Sequence, residues 1–235
     1  QAGARTFAEL TENIPSKSDM GVLMPLNTTS WYIVFEYEDS GHVPDDEKGS
    51  LDAAKILASL KEGQDSANEE RKNRGWAPLE LAGWKIPPAY EEGSHHLVWG
   101  LRVASQGSES INYNTKILGR TGVMSAILVV DPKRFDAAIG PSKELLAAFQ
   151  FKSGSKYAEW RAGDKVAQYG LTGLITGGLV VGAAKFGLLK YLGIFIAKFA
   201  KLIFVGVAVV AGAIGKFFKN ITGAIFGGRK SQSGR

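Results

Sequence analysis

At 235 residues and 45% apolar content, the chain is long enough for one large domain, or for a domain with an appendage. It has no cysteine, which excludes disulfides, thiolate catalysis and cysteine-based zinc or iron–sulfur centres. Its formal charge of +5 is unevenly placed: residues 1–164 hold 18 basic and all 23 acidic residues, whereas residues 165–235 hold ten basic and no acidic ones. The acidic excess in the first part argues against a nucleic-acid partner, and the basic, apolar second part fits an anionic membrane surface.

In chain order, "QAGARTFAEL" contains no apolar h-region. The stretch 21–38, "GVLMPLNTTSWYIVFEYE", predicts a short strand, a loop and a longer, central strand. In that longer strand Trp31, Ile33, Phe35 and Tyr37 alternate with Tyr32, Val34 and Glu36. The polar loop "DSGHVPDDEKGS" follows, and Ser50 is placed to cap a helix starting at Leu51, with Leu51, Ile56, Leu57 and Leu60 as its apolar stripe. Gly63 predicts a stop or kink, followed by a solvent-facing helical extension to Gly75.

"PLELAGWKIPP" reads as a strand closed by its paired prolines. Segments 94–104, 111–118 and 122–131 read as an antiparallel meander, with Leu97, Trp99, Leu101 and Val103 on one face and with Asn112, Asn114 and Lys116 turned to water. Two short helices are expected near 133–138 and 142–150. The fold class is therefore α+β: a mainly antiparallel sheet with a few packed helices in a soluble domain over residues 1–160.

The strings "SWYIVFEYEDSGHVPDDEKGSLDA", "ANEERKNRGWAPLELAGWKIPPAY", "HHLVWGLRV", "NYNTKILGRTGVMS" and "YAEWRAGDKVAQYGLTGLITGG" occur in this order between about residues 5 and 185. On these strings the chain resembles a bacterial family known as domain of unknown function 2167, whose members are described as predicted membrane-anchored proteins. The resemblance implies a longer upstream portion with a signal peptide and further β structure. It also implies an extracytoplasmic domain tethered to the inner membrane, and it brings no catalytic residue.

Residues 161–220 predict the anchor. Val166 to Ala184 is uncharged and near the roughly 20 residues that cross a hydrocarbon core. Residues 185–198 read as an interfacial basic segment, about 199–218 as a second helix, and 221–235 as a flexible basic tail. Lys185, Lys190, Lys198, Lys201, Lys216 and Lys219 are the expected membrane-interface residues. A hairpin of two spans is the preferred topology; a single span with a surface-lying tail is the alternative.

For chemistry, the densest polar cluster is Asp39, His42, Asp45, Asp46 and Glu47 in one loop. Such a loop serves as a solvated turn before a helix, with a Ca²⁺ or Mg²⁺ site as the alternative reading. His95 and His96, adjacent on a strand, point to opposite faces, so no metal site is expected. Asp39, His42, Asp45, Asp46 and Arg120 are the ligand-binding candidates. Arg71, Arg74 and Arg120 beside Trp76, Trp84 and Trp99 could wall a sugar site or simply form core and ion pairs. No nucleophile elbow, phosphate loop or zinc-protease motif is present, and no cofactor is implied. The expectation is a membrane-anchored envelope protein acting as a non-enzymatic binding or scaffold module. Its partners would be the lipid bilayer and an envelope protein or cell-wall component. The alternative is a tethered hydrolase using carboxylates.

Overall fold

The computed structural model describes residues 16–26 and 31–177, together with Thr6, Phe7, Thr11 and Asn13. Six strands form one sheet: β1 (Asp19–Leu23), β2 (Trp31–Glu38), β3 (Glu80–Glu91), β4 (His96–Ser105), β5 (Ser108–Leu118) and β6 (Val123–Val130). The spatial order is β1-β2-β6-β5-β4-β3, and every neighbouring pair is antiparallel. The meander of β4, β5 and β6 is as the alternation predicts, and β2 lies inside the sheet with Ile33 fully buried.

Period-two alternation gives this sheet two apolar faces, and each needs a helical cover. On one face Leu97, Trp99, Leu101 and Val103 of β4 meet Ile56 of α1 (Ala53–Asn73) and Leu171, Leu174 and Ile175 of α3 (Leu171–Thr176). On the other, Ile33, Ile111, Tyr113, Leu128 and Val130 pack with Phe135, Ala138 and Leu146 of α2 (Phe135–Ala147). The result is three layers, helix, sheet and helix.

Several boundaries differ from the sequence expectation. Helix α1 is capped by Asp52, whose carboxylate accepts from the backbone N–H of Lys55 at 3.1 Å, and it runs through Gly63 without a break. The packed stripe of Leu57 and Leu60 carries it past the one glycine, whose cost in a helix is only about 1 kcal/mol. Strand β3 continues through Pro87 and Pro88 because it is an edge strand, and the prolines fall where its register with β4 shifts between Ile86 and Ala89. A bulge on an edge needs no ladder N–H there. The two short helices expected around 133–150 are one, α2, preceded by a 3-10 turn at Pro132–Arg134 and containing Pro141.

The largest difference lies at the end of the described chain. Residues 166–184 are not one helix: Val166 is extended and forms a parallel bridge with His42, Ala167 is buried, and helix begins only at Leu171. It ends at Gly177, which takes the left-handed conformation with φ +68°. Residues 166–177 therefore belong to the folded domain, which extends past the expected boundary at 160. Glu47 explains why the helix forms here. Gly170 offers no side chain to cap it, and the Glu47 carboxylate instead accepts from the backbone N–H of Thr172 at 2.7 Å. That satisfies an orphan donor and complements the positive end of the helix. Among the described residues no helix is long and apolar enough to cross a membrane. The remainder of that expected span, the interfacial segment, the second helix, the basic tail, and Lys185, Lys190, Lys198, Lys201, Lys216 and Lys219 lie outside the described residues.

Candidate functional site

Two features gather polar and titratable side chains at one end of the sheet, where the β3–β4 turn, the β5–β6 turn and the segment after α2 meet.

The first is a joint, and it holds most of the sequence-predicted candidates. The loop after β2 is not a solvated turn along its whole length, because residues 41–44 are buried. Backbone hydrogen bonds stitch it to its neighbours: Gly41 donates to the carbonyl of Thr121, His42 to that of Lys165, and Ala167 back to that of His42. Arg120, at the tip of the β5–β6 turn, forms a two-pronged bond with Asp164, both contacts at 2.7 Å, and also reaches the carbonyl of Gly154. The His42 ring stacks on Tyr157 at 4.3 Å and lies 5.3 Å from Trp160. His95, on the far side of Tyr157, is 4.5 Å from it and bonds the Tyr90 hydroxyl through Nδ1 at 3.0 Å.

Of the candidates, His42 and Arg120 are thus brought together. Asp45 lies close enough to influence both His42 and Tyr90. Asp39 contributes its carbonyl, which accepts from the Lys165 ammonium, and Asp46 is exposed. Among the described residues no group of three or more His, Asp or Glu side chains is placed to hold a metal ion.

The electrostatics of the joint follow from burial and pairing. Burial holds the His42 imidazole below its usual range, while Asp45, a hydrogen bond to the Arg120 backbone and Asp164 pull it back up. Burial and the nearby Asp45 push the Tyr90 phenol well up. The Arg120 guanidinium, helped by the Arg161 N–H, holds the Asp164 carboxyl far down, at about 2 against an ordinary 3.8. A depressed carboxylate contributes stability above its unfolded value and loses it as the pH falls through its folded one. The contribution of Asp164 is therefore complete above pH 3.8 and lost as the pH approaches 2. Asp164→Asn is expected to be less stable than the parent at pH 7 and to lose that difference by pH 2. Tryptophan fluorescence followed through denaturant at a series of pH values checks this; a constant difference would refute it.

The second feature is a cleft that residue types alone did not indicate. Between the β3–β4 turn and the end of α2 lies a cavity of about 510 Å³, floored by Val98, Tyr113, Thr115 and Leu146 and walled by His96, Glu91 and Phe149. A smaller cleft of about 310 Å³ adjoins it, shares His96, Phe149 and Gln150, and is closed on one side by Lys156, Tyr157 and Ala158. Burial lowers the His96 pKa, opposed by the Glu91 charge, so the imidazole is neutral near pH 7. Burial raises the Tyr113 phenol to about 12, which keeps it a donor. Lys143 sits over the Tyr113 ring at 6.0 Å. The cleft thus pairs an apolar, aromatic floor with a neutral imidazole, the hydroxyls of Ser94, Tyr113 and Thr115, and charges of both signs. The available signal in the sequence was His96 itself, since a histidine beside strand residues Val98, Tyr113 and Thr115 must share their face.

The remaining sequence candidates are structural. Trp99 is buried, and the Trp84 indole N–H donates to the carbonyl of Ala53. Arg71 and Arg74 both lie over Trp76, and Arg71 donates to the carbonyl of Ala77. Asn114 and Lys116 do not face open water either: Asn114 is buried, and Lys116 donates to the Ser125 hydroxyl while burial lowers its pKa.

A search of the curated proteins finds no match. Two solved structures are alike in part. One is the solution structure of cyanobacterial PsbP (CyanoP) from Synechocystis sp. PCC 6803, with TM-score 0.40 and 13% identity, covering 58% of this chain and 76% of that one. The other is the crystal structure of PA94, a protein of unknown function from Pseudomonas aeruginosa, with TM-score 0.32 and 12% identity, covering 56% of this chain and 82% of that one. The model of the family described as protein of unknown function DUF2167 matches residues 1–209, most of the sequence. The chain belongs to the DUF2167 family.

Proposed function

We propose that the protein is a membrane-tethered binding module of the bacterial envelope, in which the folded domain recognises an envelope component through the cleft around His96. The tether reading is carried by one observation: every acidic residue lies at or before Asp164, whereas the sequence after Gly177 is mainly apolar and its charged residues are all basic. With Leu171–Thr176 committed to the core, the stretch about 199–218 is the one near-membrane-length segment left. Lys201 and Lys216 near its ends would reach the two interfaces. No carboxylate follows Asp164 to pair those lysines locally, and an anionic lipid surface supplies the missing counter-charge.

What favours binding over carboxylate hydrolysis is the occupation of the acidic groups. Asp164 is held by Arg120, Glu47 caps α3, and Glu38 accepts from the Tyr169 hydroxyl. The cleft supplies recognition groups instead, an aromatic floor for an apolar surface and polar groups at its walls for orientation.

Two measurements test the reading. Alkaline carbonate washing of membranes from cells making the full chain should leave it in the pellet; release into the supernatant refutes the tether. A photo-crosslinking residue at Gln150, on the rim shared by both clefts, should give a discrete adduct in cells that His96→Ala removes. The same residue at Asp65, on α1, serves as the control, and adducts at Gln150 no stronger than at Asp65 refute the cleft.

A further inference from the structure

His42 is only 8% exposed, yet its Nδ1 is without a hydrogen-bond partner, as is the buried Nε1 of Trp160 beside it. A buried polar atom left unpaired costs about 1–3 kcal/mol, so two in neighbouring rings call for a reason. Their chemistry is complementary. The hydrogen bond between the imidazole and the Arg120 backbone leaves Nδ1 as the ring's free acceptor, whereas an indole N–H can only donate. A hydroxyl within reach of both would satisfy them by accepting from Trp160 and donating to His42, and a single water is the smallest such group.

We propose that this joint is an acid-sensitive latch: neutral His42, stacked on Tyr157 and sharing a hydroxyl with Trp160, holds residues 154–167 against the sheet, and protonation of His42 releases them. Protonated Nδ1 becomes a donor, so the shared hydroxyl would accept from both rings and lose the acceptor for its own hydrogen, and a cation would be left where water is scarce. The groups that could compensate are all in place and already engaged. Asp45, on the same loop, lies beside Tyr90. From the released segment, Asp164 is matched by Arg120, which stands on the β5–β6 turn. Lys165, also on that segment, gives its carbonyl to the His42 N–H and its ammonium to Asp39. His95, from the β3–β4 turn, faces the ring through Tyr157 and opposes a second positive charge.

The sign follows. The closed form binds a proton less readily than the open form, so closure is complete above the ordinary histidine value of 6.5 and weakens as the pH falls from there towards the lowered closed-state value. Within that window the open fraction rises by up to about tenfold per pH unit. Because Lys156, Tyr157 and Ala158 wall the smaller cleft, acid would also dismantle that wall. This consequence rests on the binding reading, but the latch does not.

The test is amide hydrogen exchange of the full chain in detergent micelles between pH 7.5 and pH 5, corrected for the intrinsic pH dependence of exchange. No ligand enters this measurement, so its failure is separate from failure of the cleft. Peptides covering 154–167 and 41–43 should lose several-fold to about tenfold protection towards pH 5, while those of β4, β5 and β6 hold. His42→Phe, which keeps a ring but cannot titrate, should flatten the dependence; if it does not fold, His42→Asn supplies the same comparison with a neutral polar side chain. Unchanged protection in the parent, or an equal loss in the folded variant, overturns the latch.

Discussion

Leu171→Ala is expected to destabilise the folded domain by about 2–5 kcal/mol, as large-to-small changes at fully buried leucines do. Leu171 is 0% exposed and packs in the same cluster as Ile56, Leu97 and Trp99. The cavity it would leave is bounded by sheet, helix α1 and the buried Val43 loop, none of which is free to collapse into it. Denaturant unfolding of the full chain in micelles, read by tryptophan fluorescence, should show a lower midpoint at unchanged slope. The experiment separates two roles for one stretch of sequence. Were residues 166–184 a lipid-facing helix, the same substitution would leave the midpoint of the soluble domain where it was.

Gly41→Ala should cost roughly 2–5 kcal/mol by a different route. Gly41 has φ +95°, and a methyl group there would lie 2.8 Å from the carbonyl oxygen of Lys165 and 2.9 Å from the carbonyl carbon of Val166. The left-handed conformation accounts for about 1–2 kcal/mol and the overpacking for about 1–3 more, because backbone atoms cannot rotate aside. Gly75→Ala is the matching control, with φ +74° and nothing within 4 Å of the added methyl. It should show the conformational part alone. If both variants lose the same stability by thermal or denaturant unfolding, the close approach of the two chain segments contributes nothing.

The sheet was readable from the sequence because its signal is local. Leu97, Trp99, Leu101 and Val103 recur at every second position, and the turns at 106–107 and 119–122 carry glycines at the places where the chain reverses. The joint was not readable, since its determinants are paired across the chain: His42 with Val166, Glu47 with Thr172, Arg120 with Asp164. Residues 166–177 show why composition misleads here. A short core helix and the first turns of a membrane span both call for Leu, Ile, Thr and Gly, and only the surface waiting for them decides between the two. In this protein that surface is Val43, Ile56 and the carboxylate of Glu47. The acidic loop was misread for the same reason, because Gly41 to Pro44 look like turn residues until Lys165 and Ala167 are laid against them. Likewise His96 became a site residue only when α2 placed Lys143 and Leu146 across from it.

The bridge between His42 and Val166 also sets an order of assembly during synthesis. At about 5–20 residues per second, the ribosome adds Gly177 roughly 7–27 s after His42. Over that interval the apolar face of β4 and α1 has no cover from α3, and the Val43 loop has nothing to close against. The domain can complete its fold only as the apolar, basic remainder of the chain begins to appear. Folding of the domain and delivery of that remainder are therefore consecutive events, and a nascent chain stopped before residue 166 should be bound by chaperones that the longer one escapes.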